Sequence, residues 1–316
     1  MHFGVVCEAD EWYNEDTVLI LTVSTRKIIH RRDAMGIRGA DFSGAWYPGS
    51  KRECASMIEE LKSKVTLPPV EYKGLGGIVP HAGWFFSGKT ALSVFMSLKA
   101  KRVPDTVFLF GMHLPSGGPD FLFIDDGAET PLGDVMVNRE ATEALFSSFD
   151  FIREDASSYT RDNTIELQLP FLKYFFPNTT VVLAGISPGK RSVEIGKTVA
   201  KLIEDSKMNA CVVGSTDLTH YGPNYGFTPA GTGTESVEWV KQTNDRAMVD
   251  AFLSVEPDEV TQRAAKMRNA CCPGSAAAAV AAVRSLGAER GVLVEYTTSY
   301  DLHPDSSFVG YAGVVY

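Results

Sequence analysis

Apolar residues fall in short bursts along this chain, and the bursts alternate between two spacings. Helical spacing, with apolar positions recurring every three or four residues, marks residues 53–63, 87–98, 138–146, 164–175, 193–203, 236–253, 257–267 and 275–286. Compact apolar runs at 76–80, 106–110, 121–124, 180–185, 210–214, 292–297 and 308–315 predict strands. Ser87 is the expected cap of the second helix. Strands this uniformly apolar are expected to be buried on both faces, with helices above and below. The pattern therefore predicts an α/β fold: a single three-layer α/β/α domain with a mostly parallel or mixed central sheet.

Residues 1–36 do not share this regularity. They hold one β-like run, Thr17 to Val23, followed by the basic cluster Arg26, Lys27, Arg31 and Arg32. Two readings stand for this N-terminal extension. Either it adds an edge strand or arm, or it is upstream sequence and Met35 is the natural start. The domain itself is expected to run from 37 to 316, with no linker or repeat dividing it. The stretch from Gly222 to Gly233 reads as one long loop, a kind of segment that is often functional.

Composition narrows the class of function. The chain has 316 residues, 22% of them charged, and a formal net charge of -9. A binder of nucleic-acid backbones carries a basic excess, so that class is excluded. No apolar run approaches the roughly 20 residues of a membrane helix, so no membrane role is expected. The early run Val18 to Leu21 is short and preceded by acidic residues, unlike a signal peptide. Five scattered cysteines argue against a disulfide framework, and the chain reads as cytoplasmic.

Ligands in open α/β sheets gather beyond the carboxyl ends of the strands. Three of the predicted strands run directly into chemistry there. Gly76–Pro80 leads to His81; Val107–Phe110 leads through Gly111-Met112 to His113; Cys211–Gly214 leads through Ser215-Thr216 to Asp217 and His220. Three of only six histidines thus stand at strand ends. Each also has a structural reading, as a hydrogen-bonded turn residue or, for Asp217 and His220, as a cap. Their coincidence points to one shared pocket. Cys271-Cys272-Pro273-Gly274 precedes an alanine-rich helix, whose N-terminal N–H groups favour a thiolate. That suits a metal ligand or a nucleophile, although adjacent cysteines at a turn can be incidental. Cys54 and Cys211 read as core residues. Asn163 and Glu166 fit a capping box on the helix at 164–175. His303 reads as part of a solvated loop.

Two histidines and an anionic third ligand make a common open metal site. With a carboxylate as third ligand the set suits non-haem Fe(II); a softer thiolate admits iron, copper or zinc, and iron is the leading expectation.

The same segments form a series that resembles one family. Phe42 to Gly49 (FSGAWYPG) resembles its opening AGSFYPG. Val79 to Trp84 (VPHAGW) with Ser87-Gly88 resembles PHAGY…SG, and Ile165 to Phe171 (IELQLPF) resembles SxEVQLPF. Gly214 to Gly222 (GSTDLTHYG) resembles SSDLSHYG, and Asp305 to Ala312 (DSSFVGYA) resembles DSSSVVGYAA. In this order, from about 38 to 316, they resemble the Memo family, whose prokaryotic members are called AmmeMemoRadiSam system protein B.

The resemblance implies a fold similar to the class III extradiol dioxygenases. It also implies a metal held by His81, His113 and Cys271, with Asp217 and His220 lining the pocket; as the catalytic pair, His220 is expected to move protons on chemical grounds and Asp217 to orient it. The expected activity is that of a metal-dependent, dioxygenase-like oxidoreductase. The alternative is a non-enzymatic module that binds a small molecule or peptide in the same cleft. A Cys271-nucleophile hydrolase is a third reading. AMMECR-like and radical SAM proteins are the partners that the resemblance implies. Three positions depart from the family pattern: Gly111-Met112-His113 is one residue shorter, Asn163 stands in place of a histidine, and Cys272 in place of a glycine.

Overall fold

The computed structural model describes residues 36–67 and 69–316; the N-terminal extension up to Met35 lies outside the described residues. Twelve strands follow in chain order. They are β1 (Ile37–Arg38), β2 (Gly76–Val79), β3 (Thr106–Gly111), β4 (Asp120–Phe123), β5 (Gly127–Ala128) and β6 (Val135–Met136). Then come β7 (Phe151–Glu154), β8 (Thr180–Gly185), β9 (Ala210–Ser215), β10 (His220–Tyr221), β11 (Val292–Thr298) and β12 (Phe308–Val315).

Nine strands build the central sheet in the order β10-β12-β2-β9-β3-β8-β4-β7, with β11 also paired to β12. The middle four, β2, β9, β3 and β8, are mutually parallel. β12 is antiparallel to β2, β10 and β11, and β4 is antiparallel to β8, so the sheet is mixed. A small second sheet joins β1, β5 and β6.

The apolar runs behave as two-faced strands. In β3, Phe108 and Phe110 face one core while Val107 and Leu109 face the other; Val182 and Ala184 of β8 alternate with Val181 and Leu183 in the same way. On the first face lie the helices Arg139–Phe146, Lys190–Asp205, Asp245–Leu253, Pro257–Met267 and Pro273–Ser285. The second face carries Lys51–Ser63, Trp84–Lys101 and Leu169–Phe175. There the buried Trp84 ring stacks on Phe171 at 4.0 Å, and its indole N–H donates to the Leu167 carbonyl at 3.0 Å. Among the described residues no helix is long and apolar enough to cross a membrane.

Several sequence expectations need correction. The second helix starts at Trp84 with Gly83 as N-cap, and Ser87 is an interior residue whose hydroxyl donates to the Ala82 carbonyl. The helix expected over 164–175 is broken into Asn163–Glu166 and Leu169–Phe175. Asp162, not Asn163, caps its first piece. Glu166 forms no capping box: it accepts from the N–H groups of Asp41 and Phe42 and from the Tyr47 hydroxyl. The helix expected over 236–253 contains a π-helical stretch, Val240–Asn244.

Candidate metal centre

The site forms where the chain reverses direction across the sheet. Helix Trp84–Lys101 carries the chain from β2 two places along to β3, and helix Lys190–Asp205 carries it back from β8 two places to β9. The two crossovers lie on opposite faces, as crossovers of one hand require when their directions oppose. β9 is thereby threaded between β2 and β3. In register, Val79 pairs with Ser215 and Phe110 with Gly214, so the three carboxyl ends are level. His81, Asp217 and His113 therefore converge from neighbouring strands.

The broken segment Asp162–Gln168 ties those ends together. The Asn163 and Gln168 side-chain amides donate to the carbonyls of His81 and Pro80, each at 2.9 Å. The Thr164 hydroxyl accepts from the Met112 N–H at 2.6 Å, and its carbonyl accepts from the Ser215 hydroxyl at 2.7 Å. A continuous α-helix would commit the Thr164 carbonyl to the Gln168 N–H, which here donates to the Ile165 carbonyl, so the break leaves Thr164 free to accept from Ser215. Met112 adopts a left-handed φ of 70°. That tight turn accommodates the short Gly111-Met112-His113 connection and brings the His113 ring to 5.0 Å from that of His81, edge to face.

The N terminus of helix Pro273–Ser285 brings the sulfur. The Cys271 N–H donates to the Asp217 carbonyl, and the Asp217 N–H donates to Cys271 Sγ, both at 3.2 Å. Cys271 Sγ lies 3.2 Å from His81 Nε2 and 3.8 Å from Cys272 Sγ. One potential ligand atom from each of His81, His113, Cys271 and Cys272 falls within 4.8 Å of all the others.

Hydrogen bonds set the tautomers. Ser215 spends its only hydroxyl proton on the Thr164 carbonyl, so it can only accept from His81 Nδ1, 2.9 Å away. His81 Nδ1 is thus the protonated nitrogen, and Nε2 is turned to the sulfur. Likewise the Asp162 carboxylate, 3.3 Å from His113 Nδ1, draws the proton to that nitrogen. Partners that hold Nδ1–H and free Nε2 are the usual outer support of metal-binding histidines.

Charge follows the same geometry. Cys271 is held well below the usual thiol range: burial opposes the thiolate, but the Cys272 hydrogen bond and the nearby His81 and His113 outweigh it. His81 is raised; burial works against its charge, and Asp217 and Cys271 overcome that. His113 is raised well above the imidazole range, burial again opposing and Asp162 and Cys271 prevailing. With 43% of its side chain exposed, His113 is also the donor most screened by solvent. These contacts favour the thiolate form of Cys271 and the protonated forms of both imidazoles.

Asp217 and His220 stand beside this cluster. Asp217 Oδ1 accepts the His81 backbone N–H at 2.7 Å, and Oδ2 lies 4.0 Å from His81 Nε2 and 3.9 Å from His220 Nε2. The His220 ring packs 4.9 Å from that of Tyr225. Its Nε2 is buried without a hydrogen-bond partner.

All five residues singled out from the sequence are therefore gathered here. Cys54 and Cys211 are buried core thiols, as expected, and His303 lies in an exposed loop. Sequence reasoning missed Asp162, Ser215 and Thr164, which orient the donors. It also gave Cys272 no part, although its sulfur joins the cluster. Ser215 and Asp162 had a faint signal, since each directly adjoins a motif already suspected.

A mixed α/β/α sheet with histidine and cysteine donors at the carboxyl edge of its central strands defines a candidate metal-binding protein. The profile of Memo-like proteins matches residues 38–315, and the chain belongs to the Memo family. A MEMO1 family protein of Methanosarcina acetivorans is 30% identical over 287 residues, covering 89% of this chain and 99% of the relative. One from Thermococcus onnurineus is 27% identical over 289 residues, covering 89% and 99%. Among solved structures, an uncharacterized protein from Escherichia coli K12 superposes with a TM-score of 0.45 at 11% identity, covering 72% of this chain and 91% of the other.

Proposed function

We propose that this Memo-family protein binds one metal ion through His81, His113 and Cys271, in a pocket of the extradiol-dioxygenase kind where redox chemistry can follow. The observation that carries the reading is the donor set: Nε2 of His81 freed by Ser215, beside a sulfur held as thiolate. Imidazole and thiolate donors together suit iron, copper or zinc and disfavour magnesium or calcium. When bound, such an ion would act as a Lewis acid or redox centre toward oxygen or a chelating substrate.

The chain's own residues supply the remaining roles. Asp217 Oδ2 lies about equally far from His81 and His220, so it can stabilise positive charge on either ring. His220 Nε2, buried and unpartnered, is available to take a proton from a bound substrate or return one. Four thiols are free among the described residues, which fits a reducing, cytoplasmic setting.

A second reading is favoured by Asn163. Its amide holds the His81 carbonyl and has no acid–base function. A pocket without a base there fits a module that binds a small molecule or peptide without turnover.

The first test is metal analysis of protein purified without an affinity tag. About one ion per chain is expected, with affinity falling at least tenfold in His81→Ala. No bound metal, and no loss of affinity in the variant, would overturn the reading. Oxygen uptake with catechol-type substrates separates the two functions, because the binding module shows none even when metal-loaded.

A further inference from the structure

We infer that Cys272 is a fourth protein ligand, so that the resting centre is a two-histidine, two-thiolate site and not a three-donor one; this rests on the metal-binding reading above. The juxtaposition of the two sulfurs carries it. Two metal–sulfur bonds of about 2.3 Å meeting at the tetrahedral angle put their sulfurs about 3.8 Å apart. Cys271 Sγ and Cys272 Sγ are 3.8 Å apart. Cys272 Sγ also stays within the 4.8 Å that encloses one donor atom from each histidine.

Backbone constraints produce this placement. Consecutive residues in a strand point to opposite faces, and in a helix they diverge by about 100°. Cys271 and Cys272 are in neither state. The Cys271 N–H is tied to the Asp217 carbonyl and the Cys272 N–H to the Thr216 hydroxyl, at 3.2 and 3.0 Å. Cys272 is the N-cap of helix Pro273–Ser285, with φ −125° and ψ 59°, and the following proline restricts it further. Both side chains are thereby turned to one side. Cys272 is 2% exposed, yet its sulfur is directed at polar donors. The core thiol of Cys211, in contrast, donates to a backbone carbonyl, that of Gly74.

The consequence is chemical. On binding, the Cys272 thiol releases its proton to solvent as its sulfur takes up the ion. Two thiolates and two imidazoles favour zinc or copper(I) over harder ions. Four protein donors also close the resting site. An incoming ligand must then add as a fifth donor or displace Cys272, the sulfur not needed by the three-donor set.

X-ray absorption on the zinc-loaded, unmutated full chain is the decisive measurement, because it needs no variant. Two sulfur and two nitrogen neighbours are expected. Cobalt(II) substitution provides the second arm. Cys272→Ser should lose about half of the sulfur-to-cobalt charge-transfer absorbance and bind at least about tenfold more weakly. One sulfur neighbour, with the cobalt spectrum unchanged in Cys272→Ser, would overturn the fourth ligand and leave the metal-binding reading intact. Failure of the unmutated chain to bind zinc or cobalt would overturn both.

Discussion

Ser215 shows how much a single side chain decides at this centre. Its hydroxyl accepts the His81 Nδ1 proton only because its own proton is committed to the Thr164 carbonyl. Without it, neutral His81 is free to place its proton on Nε2, the atom that must coordinate. Ser215→Ala should therefore weaken metal binding by about 10- to 100-fold with little change in fold, as losses of outer partners do. Competition with a chelator of known affinity measures this; undiminished affinity would remove Ser215 from the site. Asp245 makes a separate, stability-level case. It is fully buried, and burial pushes its carboxyl up to about 6 although Thr219 and Tyr296 donate to it. Because the folded value lies above the unfolded one, its contribution to stability is complete below about pH 4 and is lost as pH rises through 6. Two units correspond to a loss on the order of 3 kcal/mol. Asp245→Asn carries no such titration, so it should gain on the unmutated protein between pH 4 and pH 7 in urea unfolding. A pH-independent difference would contradict the assignment. The residues that follow apolar strands, His81, His113 and Asp217, were readable from sequence because strand ends are where α/β sheets place ligands. Ser215 and Asp162 were not, because their part depends on which carbonyl or ring the fold sets opposite them.

The elements were readable to different degrees for a similar reason. Two-faced burial makes β3, β8 and β9 into unbroken apolar runs, which announce themselves. The segment 163–175 keeps helical spacing through its break, since Ile165, Leu169 and Leu172 still face one core. Its interruption frees the Thr164 carbonyl for the Ser215 hydroxyl, a tertiary partner that local pattern cannot reveal. The π-helical stretch Val240–Asn244 is likewise tertiary in origin. There the Asn244 side chain donates to the Thr219 hydroxyl and the Met267 carbonyl, while its own carbonyl accepts from Asn269. It thus braces both the loop leading to His220 and the loop leading to Cys271, a common setting for such stretches. Helix Pro273–Ser285 is the most exacting element. A Cβ on Gly274 would stand 2.3 Å from the Ile186 carbonyl oxygen and 2.4 Å from the Ser187 carbonyl carbon, both backbone atoms that cannot step aside. Gly274→Ala must push the helix N terminus outward and carry Cys271 and Cys272 with it. We expect a cost of about 1–3 kcal/mol in unfolding and a marked loss of metal affinity. Retained affinity would mean that the sulfurs do not depend on this helix for their position.

At the scale of the whole molecule, the centre joins parts of the chain that meet only when the sheet is complete. His81 and Cys271 are 190 residues apart, and the three donors arrive from different elements: His81 beyond β2, His113 beyond β3 and Cys271 just before helix Pro273–Ser285. An unfolded chain cannot hold these donors together, so an ion bound to them is bound to the folded state alone. Linkage then fixes the size of the effect: free metal at 100 times its dissociation constant adds about 2.7 kcal/mol to stability. For a domain spanning 38–315, with an unfolding entropy of about 2.1 cal/mol/K per residue, that raises the melting temperature by about 4–5 °C. The rise should continue logarithmically with metal concentration and be absent in His81→Ala/Cys271→Ala. Thermal scans across a zinc series provide the check. A shift that survives the double substitution would place the ion elsewhere on the surface, and a protein indifferent to zinc, copper and iron would show that the gathered donors serve as a hydrogen-bonded thiolate–imidazole cluster in their own right.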